Sequence, residues 1–507
     1  MRRALALLMS AALCGCSLEP AYVRPEPAIP GTWPVGEAYP ARTSSTAPLP
    51  SLSYREVFRD PHLEAIVAEA LANAQDLRIA LANVQIAHAQ FAVQRAQLFP
   101  QVGVAGSATE AKGTASAGSG NTSRDYGLDL GFSSFELDLF GRLRSLSHAA
   151  QDEYLASEAG ARAARLTLVG EVADAYLTLA ADRSLLAVAQ DTEVSAQKTV
   201  DLTGALLKGG VAPRTDLSLA QTVLDQARSD RAFLTTQVAQ DRNALELLVG
   251  APVPDGDLPA SIESIDGLLS ETPAGLDSRI LLRRPDVLQA EYQLKAGNAQ
   301  IGVARAAFFP TISLTALAGL ASPALAGLFS GPSQTWQFGA AVAQPLFDGG
   351  ARAGGLAEAK GQRDLALAQY QLTIQTAFRE VADALARRGT IKDQLAAQTD
   401  LVNAATDSLD LGQARYHEGI DPYLTTLVAQ RTLYSARQTL AAARLARATN
   451  LVALYQSLGG DQLIDDMAPP MPARLATGSE RPVGDEGQGR ERQADDREGP
   501  GARAEEQ

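Results

Sequence analysis

The chain has 507 residues, 46% of them apolar but only 5% aromatic, with a net charge of −14. That length admits several domains or one extended architecture, and low aromatic content with abundant alanine suits long helices in close contact better than a large compact enzyme. The acidic balance, with no basic cluster set against it, excludes nucleic acid as a partner.

At the start, Met1-Arg2-Arg3 precedes an apolar run from Ala4 to Leu13 and then Cys14-Gly15-Cys16-Ser17. A short basic region followed by an apolar run too short to span a bilayer reads as an export signal over residues 1–15. Its Leu13-Cys14-Gly15-Cys16 end resembles a bacterial lipobox. That resemblance implies a covalent lipid on Cys16 and a mature chain beginning there. Ser17, where an acidic residue would signal retention in the inner membrane, resembles an outer-membrane address. The alternative is an ordinary signal peptide with incidental cysteines. Both cysteines lie here, so the rest of the chain has no disulfide and no thiol metal site. Residues 16–60 form an extended anchor segment, rich in proline between Pro20 and Pro50, with Trp33 available to pin it to a surface.

Residues 61–250 read as one unit. From Pro61 the pattern is helical, and Leu77, Leu81, Val84, His88, Phe91 and Arg95 recur at heptad spacing. Past Leu98-Phe99-Pro100 the period drops to two, giving strands over about 99–112 and 124–139 joined by a Gly/Ser/Thr loop. In the second strand Phe135, Leu137 and Leu139 switch parity, which signals a bulge or the strand's end. Helical sequence then runs from Gly141 to Gly250, broken only at Gly209-Gly210-Val211-Ala212-Pro213. A linker over residues 251–280, rich in Pro, Gly and Asp, follows.

Residues 281–460 replay this order. Phe309-Pro310 lies 210 positions after Phe99-Pro100, Glu380-Val381-Ala382-Asp383-Ala384 lies 209 after Glu171-Val172-Ala173-Asp174-Ala175, and Gly419 and Pro422 lie 209 after Gly210 and Pro213. The unit is duplicated. Its second copy has strands over about 309–321 and 334–346 and a break at 418–422. No charged residue stands between Arg305 and Asp348, yet Pro310, Pro323 and Pro332 and the alternation of Ile312, Leu314 and Ala316 with Thr311, Ser313 and Thr315 favour strands over a spanning helix. Residues 461–507 end in a stretch with nine acidic and five basic residues from Ser479 onward, which reads as a disordered tail.

A segment such as 142–208 measures on the order of 100 Å as helix, so these helices must pack side by side as a bundle or tube. Four strands cannot close a barrel, for which about eight is the practical minimum, and an open apolar sheet is untenable in lipid because its edges are unpaired. Several copies must therefore share one barrel. The fold class is mixed but mainly α, with a duplicated half-repeat and four strands per chain.

With the lipobox-like start, Tyr22-Val23-Arg24-Pro25, Phe58-Arg59-Asp60-Pro61, Asp138-Leu139-Phe140-Gly141, Arg283-Arg284-Pro285-Asp286, Pro345-Leu346-Phe347-Asp348-Gly349-Gly350 and both breaks, the chain up to Gly460 resembles the TolC-like outer-membrane efflux lipoproteins of the OprM/NodT branch. The resemblance implies a homotrimer closing a 12-stranded outer-membrane β-barrel, continued by a long periplasmic α-helical barrel. It further implies a periplasmic adaptor and an inner-membrane pump of the RND type as partners, with small toxic molecules leaving through the duct. An exit duct for type I-like protein secretion is the alternative within transport, and a lipid-anchored coiled-coil scaffold without a pore is the alternative from another class.

No catalytic constellation is present, the four histidines lack ligand spacing, and no cofactor is called for beyond the lipid on Cys16. The breaks carry the functional expectation. Gly210, Val211, Ala212 and Pro213, with Gly419, Ile420, Asp421 and Pro422, form tips that the resemblance assigns to adaptor docking and closure, whereas turn chemistry alone makes them ordinary helix–helix turns. Asp421 is expected as the N-cap of the last helix and Pro422 as its first residue. The related pattern places a leucine and, four residues on, an aspartate at the pore; here Leu424 matches, but Val428 replaces the aspartate. Leu424 and Val428 are therefore expected as an apolar constriction, with Asp421 and Asp216 supplying any negative charge.

Overall fold

The computed structural model describes residues 17–27, 29–39, 53–112, 122–265 and 278–460. The export signal with Cys16, the 113–121 part of the Gly/Ser/Thr loop, the second half of the linker and the charged tail lie outside the described residues.

The first repeat runs α1 (Tyr54–Val57), α2 (Pro61–Asn73), α3 (Gln75–Ala96), β1 (Gly103–Lys112), β2 (Thr122–Glu136), α4 (Arg142–Lys208) and α5 (Arg214–Val249). After the short α6 (Ile262–Ile265), the second runs α7 (Pro285–Ala306), β3 (Thr311–Ser322), β4 (Gln334–Ala343), α8 (Ala351–His417) and α9 (Tyr423–Ser457). The duplication reaches element length: α3 and α7 each have 22 residues, α4 and α8 each have 67. Each 67-residue helix follows a left-handed glycine, Gly141 at φ 77° and Gly350 at φ 96°. At that backbone angle a side chain would be strained.

Two boundaries differ from the sequence reading. The first helical stretch is interrupted at Ala74, whose extended backbone (φ −56°, ψ 129°) separates α2 from α3. The strands begin at Gly103 and Thr311, because Leu98-Phe99 and Phe308-Phe309 still belong to the helix-ending turns, where Phe99 N–H donates to Ala96 O and Phe309 N–H to Ala306 O.

The four strands form one antiparallel sheet in the order β1-β2-β3-β4, leaving β1 and β4 as its edges. Register places Val104 opposite Leu130, Leu130 opposite Ala318 and Ala318 opposite Trp336; the next row of that face holds Phe132, Ala316 and Phe338. The opposite face carries Ala105, Asp129, Gly319 and Thr335 in one row. One face is thus apolar, and it is exposed: Trp336 is 82% and Phe338 67% accessible. The parity switch in β2 is a register shift between Phe132 and Phe135, with Ser134 at φ 59°.

The helices carry the core. Val287, Leu294, Tyr370, Ile374, Val381 and Leu454 pack where the second repeat's helices converge. The N-terminal segment straps across them. Arg305 donates to Leu18 O at 3.1 Å, Asn298 to Pro20 O at 2.7 Å, and Arg24 and Tyr22 both reach the buried carboxylate of Glu291. Trp33 stacks on Phe378 at 5.1 Å, so the surface pin is made to α8.

Candidate functional site

The two hairpin tips share one backbone design. In the first, Gly210 takes φ 74°, Val211 N–H donates to Leu206 O at 2.9 Å and Gly210 N–H to Leu207 O at 3.0 Å. In the second, Gly419 takes φ 69°, Ile420 N–H donates to Arg415 O at 2.8 Å and Gly419 N–H to Tyr416 O at 3.0 Å. Each pair of bonds satisfies helix-terminal carbonyls, with a left-handed residue at the crossing that glycine occupies without steric cost. Val211 is 75% and Ile420 60% exposed, so both tips present an apolar side chain outward.

The helix starts differ from expectation. Pro213 and Pro422 are themselves the N-caps, at ψ 154° and 155°, and no side chain caps either helix. Asp421 does not cap α9. Its carboxylate is taken in a two-pronged ion pair by Arg415, Nε to Oδ2 at 2.6 Å and Nη2 to Oδ1 at 3.0 Å. A guanidinium fork outcompetes a neutral amide for a carboxylate. Arg415 accordingly holds the Asp421 carboxyl below the usual carboxylate range. Leu206 and Ala212 occupy the corresponding places in the first tip, so the clamp belongs to the second tip alone.

Beyond the tip, Leu424 and Val428 are 58% and 57% exposed, one helical turn apart on α9. Val428 also borders a groove of about 480 Å³ with Gln398, Leu401, Arg431 and Thr432. Asp216 is half-buried and does not join the Arg415–Asp421 pair. It lies close enough to Tyr416 and Tyr423 to help raise both phenols, after burial as the larger cause; Tyr423 is pushed up to about 12. The two rings sit 5.4 Å apart and neither hydroxyl has a hydrogen-bond partner.

The sequence reading missed the residues that join the hairpins. Tyr423 and Leu427 of α9 pack on Ala220 of α5, and Tyr434 donates to Asp230 at 2.7 Å. Only the tyrosines' position just past the break hinted at this. Also unforeseen was the pairing of Arg284, buried and bound to Asp286 at 2.7 Å and Glu380 at 2.9 Å, beside a cavity of about 650 Å³. Among the described residues no three His, Cys, Asp or Glu side chains gather as a metal site, and no helix is long and apolar enough to cross a membrane.

Comparison with known proteins gives one consistent picture. The family described as outer membrane efflux protein matches residues 66–251 and 276–460. The antibiotic efflux pump outer membrane protein ArpC of Pseudomonas putida is 44% identical over 451 residues, covering 88% of this chain and 93% of that protein. The solvent efflux pump outer membrane protein SrpC of the same species is 42% identical over 462 residues, 90% of this chain and 97% of that protein. Among solved structures, the open state of the Neisseria gonorrhoeae MtrE outer membrane channel superposes with a TM-score of 0.78 at 33% identity, covering 88% of this chain and 98% of that one.

Proposed function

The chain belongs to the outer membrane efflux protein family, and on that premise we propose that it is the outer-membrane exit duct through which an inner-membrane pump expels small toxic molecules. It is not an enzyme. The observation that carries this reading is the sheet: an exposed apolar face on four strands whose two edges have no partner within the chain. Unpaired strand edges are untenable in lipid. Closure of β1 of one copy against β4 of the next removes them, and three copies supply twelve strands, enough for a barrel.

The helical hairpins then extend the duct into the periplasm. Val211 and Ile420 present apolar contacts at the tips for a periplasmic adaptor, and an RND-type pump completes the assembly. Leu424 and Val428 narrow the lumen as an apolar ring. A lipid on Cys16 agrees with the strap: Leu18, two residues after Cys16, is held by Arg305 near the end of α7, the helix that leads into β3. Relatives named for antibiotics and for solvents point to amphipathic small molecules as cargo.

The test is deletion followed by a susceptibility panel of antibiotics and solvents, together with reconstitution of purified protein into planar bilayers. Hypersensitivity and discrete channel steps are expected. A protein that forms no channels and whose loss changes no susceptibility would sink the reading.

A further inference from the structure

The sheet has two unlike ends. At one, β1 follows α3 and β2 leads into α4; at the other, Lys112 pairs with Thr122 where the β1–β2 hairpin turns. With the helices on the periplasmic side of the barrel, the hairpin end is the one at the cell exterior. The lipid-facing positions of β3 are Ile312, Leu314, Ala316, Ala318 and Leu320, all apolar. They cover about 27 Å of strand at 3.4 Å per residue, which a tilt of about 40° turns into about 20 Å of depth. That is most of the apolar band, about 25 Å tall, of an outer-membrane barrel. Gln334, opposite Leu320, and then the row of Ala108, Tyr126 and Ser322 mark the change to polar groups on this face. A tyrosine suits that level, where its ring is in lipid and its hydroxyl is wet.

Beyond Tyr126 the same outward face carries charge. Glu110 stands opposite Arg124, and Lys112 follows in the next row. Arg124 Nε and Nη2 both donate to Glu110 Oε1, at 3.1 and 3.0 Å. The pair leaves Arg124 Nη1 unengaged, and Lys112 has no partner among the described residues. Both members of the pair are more than half exposed, and Lys112 is exposed as well. At the tilt above, Arg124 lies about 5 Å above the tyrosine row and Lys112 about 10 Å. The headgroup layer on each side of a bilayer is about 6 Å thick, and a lysine stem can bend back toward it. Both cations therefore reach the lipid headgroups.

Sign is sorted by face. At this end of the sheet the inward side holds Asp125 and Asp129 and no base, while the outward side holds two bases and one acid that is already neutralised. The strands β3 and β4 carry no charge at all. A rim turned only to water has no reason to separate the signs across one strand pair. A rim set in an anionic headgroup layer does, since that layer attracts cations and repels carboxylates. Arg124 and Lys112 stand on neighbouring strands one row apart, about 8 Å between their backbones, so their side chains can converge on a single headgroup that bears more than one phosphate. A guanidinium also binds phosphate through two parallel N–H groups, and Glu110 fixes the plane in which Arg124 offers them.

We propose that Lys112 and Arg124 form a binding site for the phosphates of a phosphorylated glycolipid in the outer leaflet, on the outside of the β1–β2 hairpin. Tyr126 and Leu128 below them meet the start of its acyl chains. The site rests on the barrel reading above and adds the lipid class that the barrel's outer rim selects.

The test titrates the full-length protein, purified in neutral detergent, with bisphosphorylated lipid A and with its dephosphorylated form, and reads binding by native mass spectrometry. Each base near an anionic lipid surface contributes about fivefold in affinity, so Lys112→Gln with Arg124→Gln should weaken the bisphosphorylated lipid about 25-fold. Binding of the dephosphorylated lipid should not change. Glu110→Gln removes the acid that competes for Arg124 and should tighten the bisphosphorylated lipid. Unchanged affinity in the double variant, a loss shared by the dephosphorylated lipid, or affinity unchanged or lowered in Glu110→Gln overturns the site. Displacement of the lipid by an equal concentration of inorganic phosphate also overturns it, in favour of a free-phosphate site. Planar bilayers of neutral lipid separate this from the barrel itself. The double variant should form channels of wild-type conductance there, and channels together with unchanged lipid affinity sink the lipid site alone. A wild-type protein that forms no channels sinks the barrel reading and the site with it.

Discussion

If Leu424 and Val428 narrow the duct as proposed, position 428 decides what its closed aperture is made of. Val428 and Leu424 are exposed one turn apart on α9; on the proposal that they line the lumen, the constriction is apolar and closes by excluding water rather than by ringing the lumen with charge. Replacing Val428 with Asp should therefore raise single-channel conductance and cation selectivity in planar bilayers. The gain should shrink as salt rises from 0.1 to 1 M and the screening length falls from about 10 Å to about 3 Å. Unchanged conductance and selectivity at low salt would remove Val428 from the pore lining. Charge elsewhere acts through burial. Asp152, on α4 beside the strap, is pushed up to about 6 by burial and by Glu19, with Lys295 and His148 opposing. A carboxyl raised in the folded state holds its proton more tightly than in the unfolded chain, so stability falls as pH rises from about 4 to about 6 and stays lower above that. Asp152→Asn should raise the heat-dissociation temperature at pH 7.5 and leave it unchanged at pH 4; an equal shift at both would show that the carboxyl's charge is not the cause. At this scale the sequence was only partly legible. Gly419 and Pro422 announced a turn, but Asp421 followed by proline looks like a cap, and only three-dimensional proximity reveals that Arg415 claims the carboxylate first.

Elements were more legible than residues because periodicity is local. The change from a helical period to alternation at Pro100 and Pro310, and back at Gly141 and Gly350, follows from which face each segment must bury, and it located all four strands within a few residues. The break at Ala74 escaped notice, since no proline or glycine marks it and the chain bends there to pack α2 under α4 and α5. The tips show why a glycine holds its place. Gly419 sits at φ 69° with open space where a Cβ would project, so Gly419→Ala meets no clash and pays only the left-handed backbone penalty, about 1–2 kcal/mol. That cost should appear locally, as faster hydrogen exchange of the Ile420 amide with the channel assembly intact. Protection equal to wild type would mean that the tip does not hold this conformation in the membrane. Gly210→Ala is expected to behave in the same way at Val211, since the two turns share one hydrogen-bond pattern.

For the whole molecule, the duplication was the strongest signal in the sequence, because insertions and deletions have kept landmarks within a few positions of a 209-residue period. What it left unread was the strap, whose contacts with α7 and α8 join residues more than 250 positions apart and follow from no local pattern. The strap has a consequence for how the duct is held in the membrane. Two attachments enter the proposed assembly: a lipid on Cys16 and the barrel closed by β1 and β4. They differ greatly in strength, since a single acyl chain gives marginal, reversible binding whereas a closed barrel buries a whole apolar band. On the proposal of a lipid on Cys16, the lipid would guide the chain to the outer membrane while the barrel retains it. If so, Cys16→Ser behind a signal that is cleaved without acylation should abolish palmitate labelling yet leave the trimer in the outer-membrane fraction and resistant to carbonate extraction. Arg24 and Tyr22 still hold the strap to Glu291 in that variant, so the helices keep their packing and channel conductance should match the wild type. Release of the variant into the soluble periplasm would show that the lipid, not the sheet, is the anchor, and would count against a closed barrel in this protein.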